Sequence, residues 1–174
     1  MENNAIPWAM GVVVQDIPEA GLHLEIEAPE EVRTALARLV NVSDIKQVVA
    51  AFDLTRRGAG VHVAGQVKAQ LRQTCVVSLE LMDAQVDETV DLLFMPGKAV
   101  NEVDLAEVDE ELPEPLLDGK IDVAAITTEF LLLGIDPYPR KPGVEFSAQK
   151  ADDNGVHPFA ALETLKRRQN EGQS

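Results

Sequence analysis

The chain has 174 residues, is 45% hydrophobic but only 4% aromatic, and carries 15 Lys and Arg against 30 Asp and Glu, a formal charge of −15. That size and apolar fraction suit one packed domain with additions and exclude global disorder, while the charge excludes a general polyanion binder, since affinity for nucleic acid rests on cations that displace condensed counterions. A single cysteine excludes an internal disulfide framework.

From the N-terminus, Trp8 to Ile17 reads as a strand ended by Pro18. Leu22, Leu24 and Ile26 alternate with His23, Glu25 and Glu27 as a second short strand, and the turn Glu19-Ala20-Gly21 suggests that the two form a hairpin. The start MENNAIPWAMGVVV has no cationic segment and places Pro7 before its apolar run, so a protein without a signal peptide is expected. No apolar run approaches the roughly 18 residues of a membrane span, and a cytoplasmic location follows as the expectation. Pro29 opens a helix to Asn41, with Val32, Leu36, Leu39 and Val40 on one face. Glu30 and Glu31 fall in its first turn, where the helix dipole favours anions.

The centre of the chain alternates with period two. Val48, Ala50, Phe52 and Leu54 form one run. Val61, Val63, Gly65, Val67, Ala69 and Leu71 form the next, with His62, Gln66, Lys68, Gln70 and Arg72 on its polar face. Val86, Val90, Leu92 and Phe94 form a third that closes on Pro96-Gly97. Short connections between three such runs predict an antiparallel meander. The fold class expected is therefore α+β: an antiparallel, barrel-like sheet of about five or more strands with two to three helices.

Residues 97–115 are acidic and read as a solvated loop without the glycine-centred spacing of a calcium site. Within it Glu107, Asp109, Glu110 and Glu111 are candidates for docking a basic partner. Asp122 reads as the N-cap of a helix that runs to Gly134 and carries Ile126, Phe130 and Leu133 on one face. The prolines of residues 136–143 cannot continue that helix. The organisation expected is one domain over 1–140, a flexible linker over 141–157, and a C-terminal amphipathic helix over 158–174 with a basic end at Lys166, Arg167 and Arg168.

Charge is segregated along the chain. Residues 54–79 hold Arg56, Arg57, Lys68 and Arg72 and no acid, whereas residues 80–122 hold 14 acids against Lys98 and Lys120. The four cations are the candidate nucleic-acid contacts, with Arg56 and Arg57 foremost because they flank a glycine turn. The polar strand face offers no aromatic side chain on which a base could stack. Pairing of Arg72 and Lys68 with Asp87 and Asp91 of the next strand would occupy two of the cations. Catalytic chemistry has no foothold: Cys75 needs a histidine or helix terminus to become a nucleophile, and His62 lies 13 positions away, roughly 40 Å along a straight strand. One cysteine and three histidines are a poor zinc set. No metal, cofactor, small-molecule substrate or enzymatic activity is expected.

The order of features is more specific than any one of them. A Gly65-x-Val-x-Ala-x-Leu strand runs into Gln73-Thr74-Cys75-Val76-Val77-x-Leu79-Glu80, and an alternating strand ends in Phe94-Met95-Pro96. An acidic stretch, the Asp118-Gly119-x-Ile121-Asp122 helix and Pro137-Tyr138-Pro139-Arg140 follow, and the chain closes on Pro158-Phe159-Ala160-Ala161-Leu162-x-x-Leu165-Lys166. This resembles the YceD family, the large ribosomal RNA subunit accumulation proteins, in its alphaproteobacterial form. The resemblance implies a non-enzymatic part in making or keeping large-subunit ribosomal RNA, with that RNA or a basic ribosomal protein as partner. Its motif positions here include Gly65, Gln73, Cys75, Asp122 and Pro139. Many relatives carry a Cys-x-x-Cys pair at the strand end; here the second position is Ser78.

Overall fold

A computed structural model describes residues 8–97, 113–116 and 118–145. The chain divides into two compact units, Met1–Pro142 and Gly143–Ser174. The C-terminal helix, most of the linker and the acidic candidates Glu107, Asp109, Glu110 and Glu111 lie outside the described residues.

The centre of the first unit is a sheet of five strands in the order β2 (Leu22–Glu27), β3 (Asp44–Arg57), β4 (Gly60–Thr74), β5 (Leu81–Pro96) and β6 (Glu114–Leu116). The first four pair antiparallel in sequence order; for β3, β4 and β5 this is the meander that the alternating runs predict. Two parts of the expectation fail. The sheet is open rather than barrel-like, because β2 and β6 sit at opposite edges. It is also mixed: β6 joins β5 in parallel, Phe94 beside Glu114. A parallel neighbour requires a crossover rather than a tight turn, and the 97–113 connection is long enough to supply one.

The N-terminal hairpin is a second correction. The strand over Trp8–Ile17 shrinks to β1 (Gly11–Val13) followed by a 3-10 turn over Val14–Asp16, and its partner is β7 (Lys120–Asp122), not β2. Val14 N–H donates to the Gly119 carbonyl and Val123 N–H to that of Met10, which zips the two segments together from either end. β2 pairs instead with β3, placing Leu24 opposite Phe52.

Both helices cover one face of the sheet. α1 (Glu30–Leu39) buries Val32, Leu36 and Ala37. α2 (Val123–Gly134) is capped by Asp122, whose Oδ1 accepts from the N–H groups of Ala124 and Ala125 at 3.0 and 3.2 Å. The same oxygen accepts from Met10 N–H at 2.9 Å, so one carboxylate both starts the helix and holds β1. α2 buries Thr127 and Thr128 among its apolar residues, and their hydroxyls donate to the carbonyls four residues back, of Val123 and Ala124. Buried polar groups are tolerated when paired in this way.

Beneath the helices lies a core of Val48, Phe52, Leu54, Val61, Val63, Val67, Leu71 and Val90, all close to fully buried. Each such side chain contributes about 1.5–3 kcal/mol relative to exposure. Gly65 sits among them because a Cβ there would enter the Ala51 carbonyl and the Phe52 ring. The largest side chain of the sheet core thus fills the space its neighbour leaves.

Candidate functional site

The opposite face of the sheet has no helix over it among the described residues. The register puts His23, Glu25 and Glu27 of β2, Val49, Ala51 and Asp53 of β3, the even residues of β4 from His62 to Arg72, and the odd residues of β5 on this side. Cross-strand pairs organise it. Arg72 Nε lies 3.1 Å and Lys46 Nζ 2.7 Å from Asp83 Oδ1, and together they hold the Asp83 carboxyl below its usual range, Lys46 most strongly. Lys68 Nζ lies 3.8 Å from Asp87. His62 Nε2 is 2.6 Å from Asp91, and His23 Nδ1 is 2.7 Å from Asp53, whose hydrogen bond and charge raise the His23 pKa. The predicted pairing of Arg72 with Asp87 and Lys68 with Asp91 is therefore four residues out. The turn over residues 75–80 closes sooner than that pairing assumes, bringing Thr74 opposite Leu81 and shifting each cation to the preceding aspartate.

The four cations singled out in the sequence do not meet. Arg56 Nη2 donates to the Val14 and Gln15 carbonyls at 3.1 and 2.5 Å, so this guanidinium ties the hairpin tip to the 3-10 turn. Arg57 stands exposed at the tip of the β3–β4 hairpin, before Gly58 with φ 60°. Arg72 stands at the far end of β4, twelve residues from Gly60, the partner of Arg57, or roughly 40 Å at about 3.3 Å per residue, and Lys68 lies between. Three of the four already have partners, and the exposed pairs contribute only about 0.2–1 kcal/mol each.

At the Arg72 end a second constellation forms around Cys75, which is fully buried. Its Sγ accepts hydrogen bonds from Ser78 N–H at 3.4 Å and Lys141 N–H at 3.3 Å. These donors, Lys141 first and then Ser78, favour the thiolate and lower the pKa from 9.0 to about 6. The proline-rich segment after α2 is buckled here at three further points. Gln73 Nε2 donates to the Asp136 carbonyl at 2.7 Å, Val76 N–H to the Pro139 carbonyl at 2.9 Å, and Lys141 Nζ to Glu80 at 2.7 Å. Three of the motif residues, Gln73, Cys75 and Pro139, thus converge in one clasp. Gly65 and Asp122 serve the core and the α2 cap instead. The sequence pattern gives no view of this clasp, because its two halves lie more than 60 residues apart. Leu79 carries a local conformational strain at φ 59° and is 76% exposed, held there by its own N–H to the Cys75 carbonyl.

No set of three His, Cys, Asp or Glu side chains converges among the described residues, and no helix among them is long and apolar enough to cross a membrane. What the geometry defines is an α+β protein with one covered and one uncovered sheet face and a thiol used as a hydrogen-bond acceptor. The family model for the large ribosomal RNA subunit accumulation protein YceD matches residues 63–166, more than half of the chain, and the chain belongs to that family. Neither the curated proteins nor the solved structures give a match.

Proposed function

We propose that the protein is a non-enzymatic cytoplasmic factor that supports the synthesis, processing or stability of large-subunit ribosomal RNA by holding a component of the assembling particle. The observation that carries this reading is the family match over residues 63–166. The charge of −15 supports a basic ribosomal protein as the component held. Direct RNA contact has less support. Arg56, Lys68 and Arg72 are engaged with carbonyls or aspartates, which leaves Arg57 as the candidate cation without such a partner among the described residues. A thiol enzyme has less still, since Cys75 is sealed from solvent and its lone pairs are directed at backbone N–H groups.

Sedimentation of the tagged chain with precursor large-subunit particles at low and high salt tests the reading, with crosslinking to identify the neighbour. Salt-sensitive co-sedimentation and a crosslink to a basic ribosomal protein are expected. Recovery of neither large-subunit protein nor large-subunit RNA at low salt would overturn it. Charge reversal at Arg57 separates the two modes, because binding through RNA would weaken and binding through protein would not.

A further inference from the structure

We propose that the uncovered face of the five-stranded sheet is the docking surface for a basic polypeptide, seated along β3 with its cationic groups at Glu25 and Glu27. The proposal rests on the reading above that the chain holds a basic protein, and it assigns the surface.

Solvated sheet faces are usually carpeted with long polar side chains. Here the middle of the face is floored by Val49 and Ala51, and a shallow depression of about 520 Å³ opens between Glu25 and Glu27 on one side and Gln66 and Lys68 on the other. The floor is apolar and one wall is anionic. That combination fits a lysine or arginine side chain laid lengthwise, its methylene stem on Val49 and Ala51 and its charged head at a carboxylate. The wall is free to accept it. Among the described residues Glu27 has only the Gln47 amide at 3.4 Å, and Glu25 only the edge of His23 at 3.9 Å.

Nucleic acid is the wrong occupant for this face. Lys46, Lys68 and Arg72 each stand within 3.8 Å of an aspartate, so the cations of this face are interleaved with carboxylates that repel a phosphate backbone whether or not the pairs open. None of the outward positions carries an aromatic ring, which single-stranded bases need as a platform. The dimensions suit a protein. The strands β3 to β5 have 14, 15 and 16 residues, and with β2 they present a surface roughly 45 Å by 15 Å at ordinary strand rise and spacing. That approaches the roughly 800 Å² which one partner contributes to a standard interface.

The test places a photocrosslinking residue at Gln66 of the full-length chain. The probes are RNA-free total protein of the large ribosomal subunit and protein-free large-subunit RNA. A crosslink from position 66 to a basic large-subunit protein is expected. In the same chain Glu25→Lys with Glu27→Lys should weaken that protein's binding roughly tenfold or more, because two carboxylate contacts become like-charge contacts. Glu25→Gln with Glu27→Gln, which keeps the shape, should weaken it in the same direction by less. Glu129→Lys, on the outer side of α2 (Val123–Gly134), should leave it unchanged. Circular dichroism of each variant checks that the sheet persists. Crosslinks only to RNA, to a second copy or to the chain's own C-terminal residues would overturn the proposal. So would binding that survives both double variants, and in that case the reading of the protein as a ribosomal factor would still stand. If the unaltered chain binds neither probe, that broader reading falls first.

Discussion

The two faces of β4 are drawn from one strand and obey different physics. The odd residues from Val61 to Leu71 are buried on the helix-covered side, Gly65 partly so, and each position there is fixed by shape. The even residues, from His62 to Arg72, lie on the uncovered face, and His62, Lys68 and Arg72 each have an aspartate partner across the strand. A change of one methyl matters on the first face, while a whole charge is worth little on the second. The inner face therefore holds the molecule together, and the outer face can change its charges with little loss to the fold.

The sharpest break of that contrast is on the inner side. Gly65→Ala adds a single methyl where the Ala51 carbonyl and the Phe52 ring already stand. The carbonyl belongs to a paired strand and cannot withdraw without loosening the β3–β4 ladder. The expected loss is about 1–3 kcal/mol, the usual range for overpacking a core, read as a lower midpoint of urea unfolding at unchanged slope. Ala64→Ser, one position along and on the outer face, should move the midpoint by less than about 0.5 kcal/mol. Equal effects at the two positions would mean that the faces are not as distinct as their packing indicates.

What the sequence discloses follows the same division. Period-two alternation is the direct imprint of a half-buried strand, so β3, β4 and β5 are legible, as is the α2 cap, because Asp122 is followed at once by an apolar helix. Barrel closure and the β1–β2 hairpin are misread for a common reason. Both depend on which distant segment takes an edge, and β7 and β6 are three-residue strands with no periodicity to announce them. The cations are visible as residues but their partners are not. Arg56 is satisfied by carbonyls of the 3-10 turn, and no local pattern encodes a carbonyl 41 positions away. The thiol clasp is illegible for that reason too, although a lone cysteine beside a glutamine at a strand end, and a proline run far downstream, are its two halves.

That clasp gives an effect with a definite sign in pH. The Cys75 pKa falls from 9.0 to about 6 on folding, through the Lys141 and Ser78 donors. A group whose folded pKa is depressed contributes stability that is complete above its unfolded value and is lost as pH falls through its folded value. The contribution is therefore whole above about pH 9, declines through the neutral range and is gone below about pH 6. Urea midpoints of the unaltered chain and of Cys75→Ser, compared point by point, should draw together as the pH is lowered from 9 to 6. Taking the difference cancels the titration of His23, whose raised pKa acts in the opposite sense because its stabilising charge is lost as pH rises. A constant gap across the window would show that the sulfur is protonated in the folded state and accepts those bonds as a neutral thiol.

The smallest effect sharpens the contrast from the outer side. Lys68 and Asp87 face each other across β4 and β5 at 3.8 Å, both largely exposed to water. Coulomb attraction at that separation is worth about 1 kcal/mol in water before the entropy of holding two side chains is subtracted. A double-mutant cycle with Lys68→Ala and Asp87→Ala should therefore return a coupling below about 1 kcal/mol at low salt. Half-molar salt shortens the screening length to only a few ångströms, and the coupling should then fall within error of zero. A pair this weak in the free protein opens easily, and that is the property a docking face needs: an incoming cation can take Asp87 from Lys68 with almost no loss to the fold. A coupling of several kcal/mol, indifferent to salt, would mark the pair as structural and the outer face as closed to exchange.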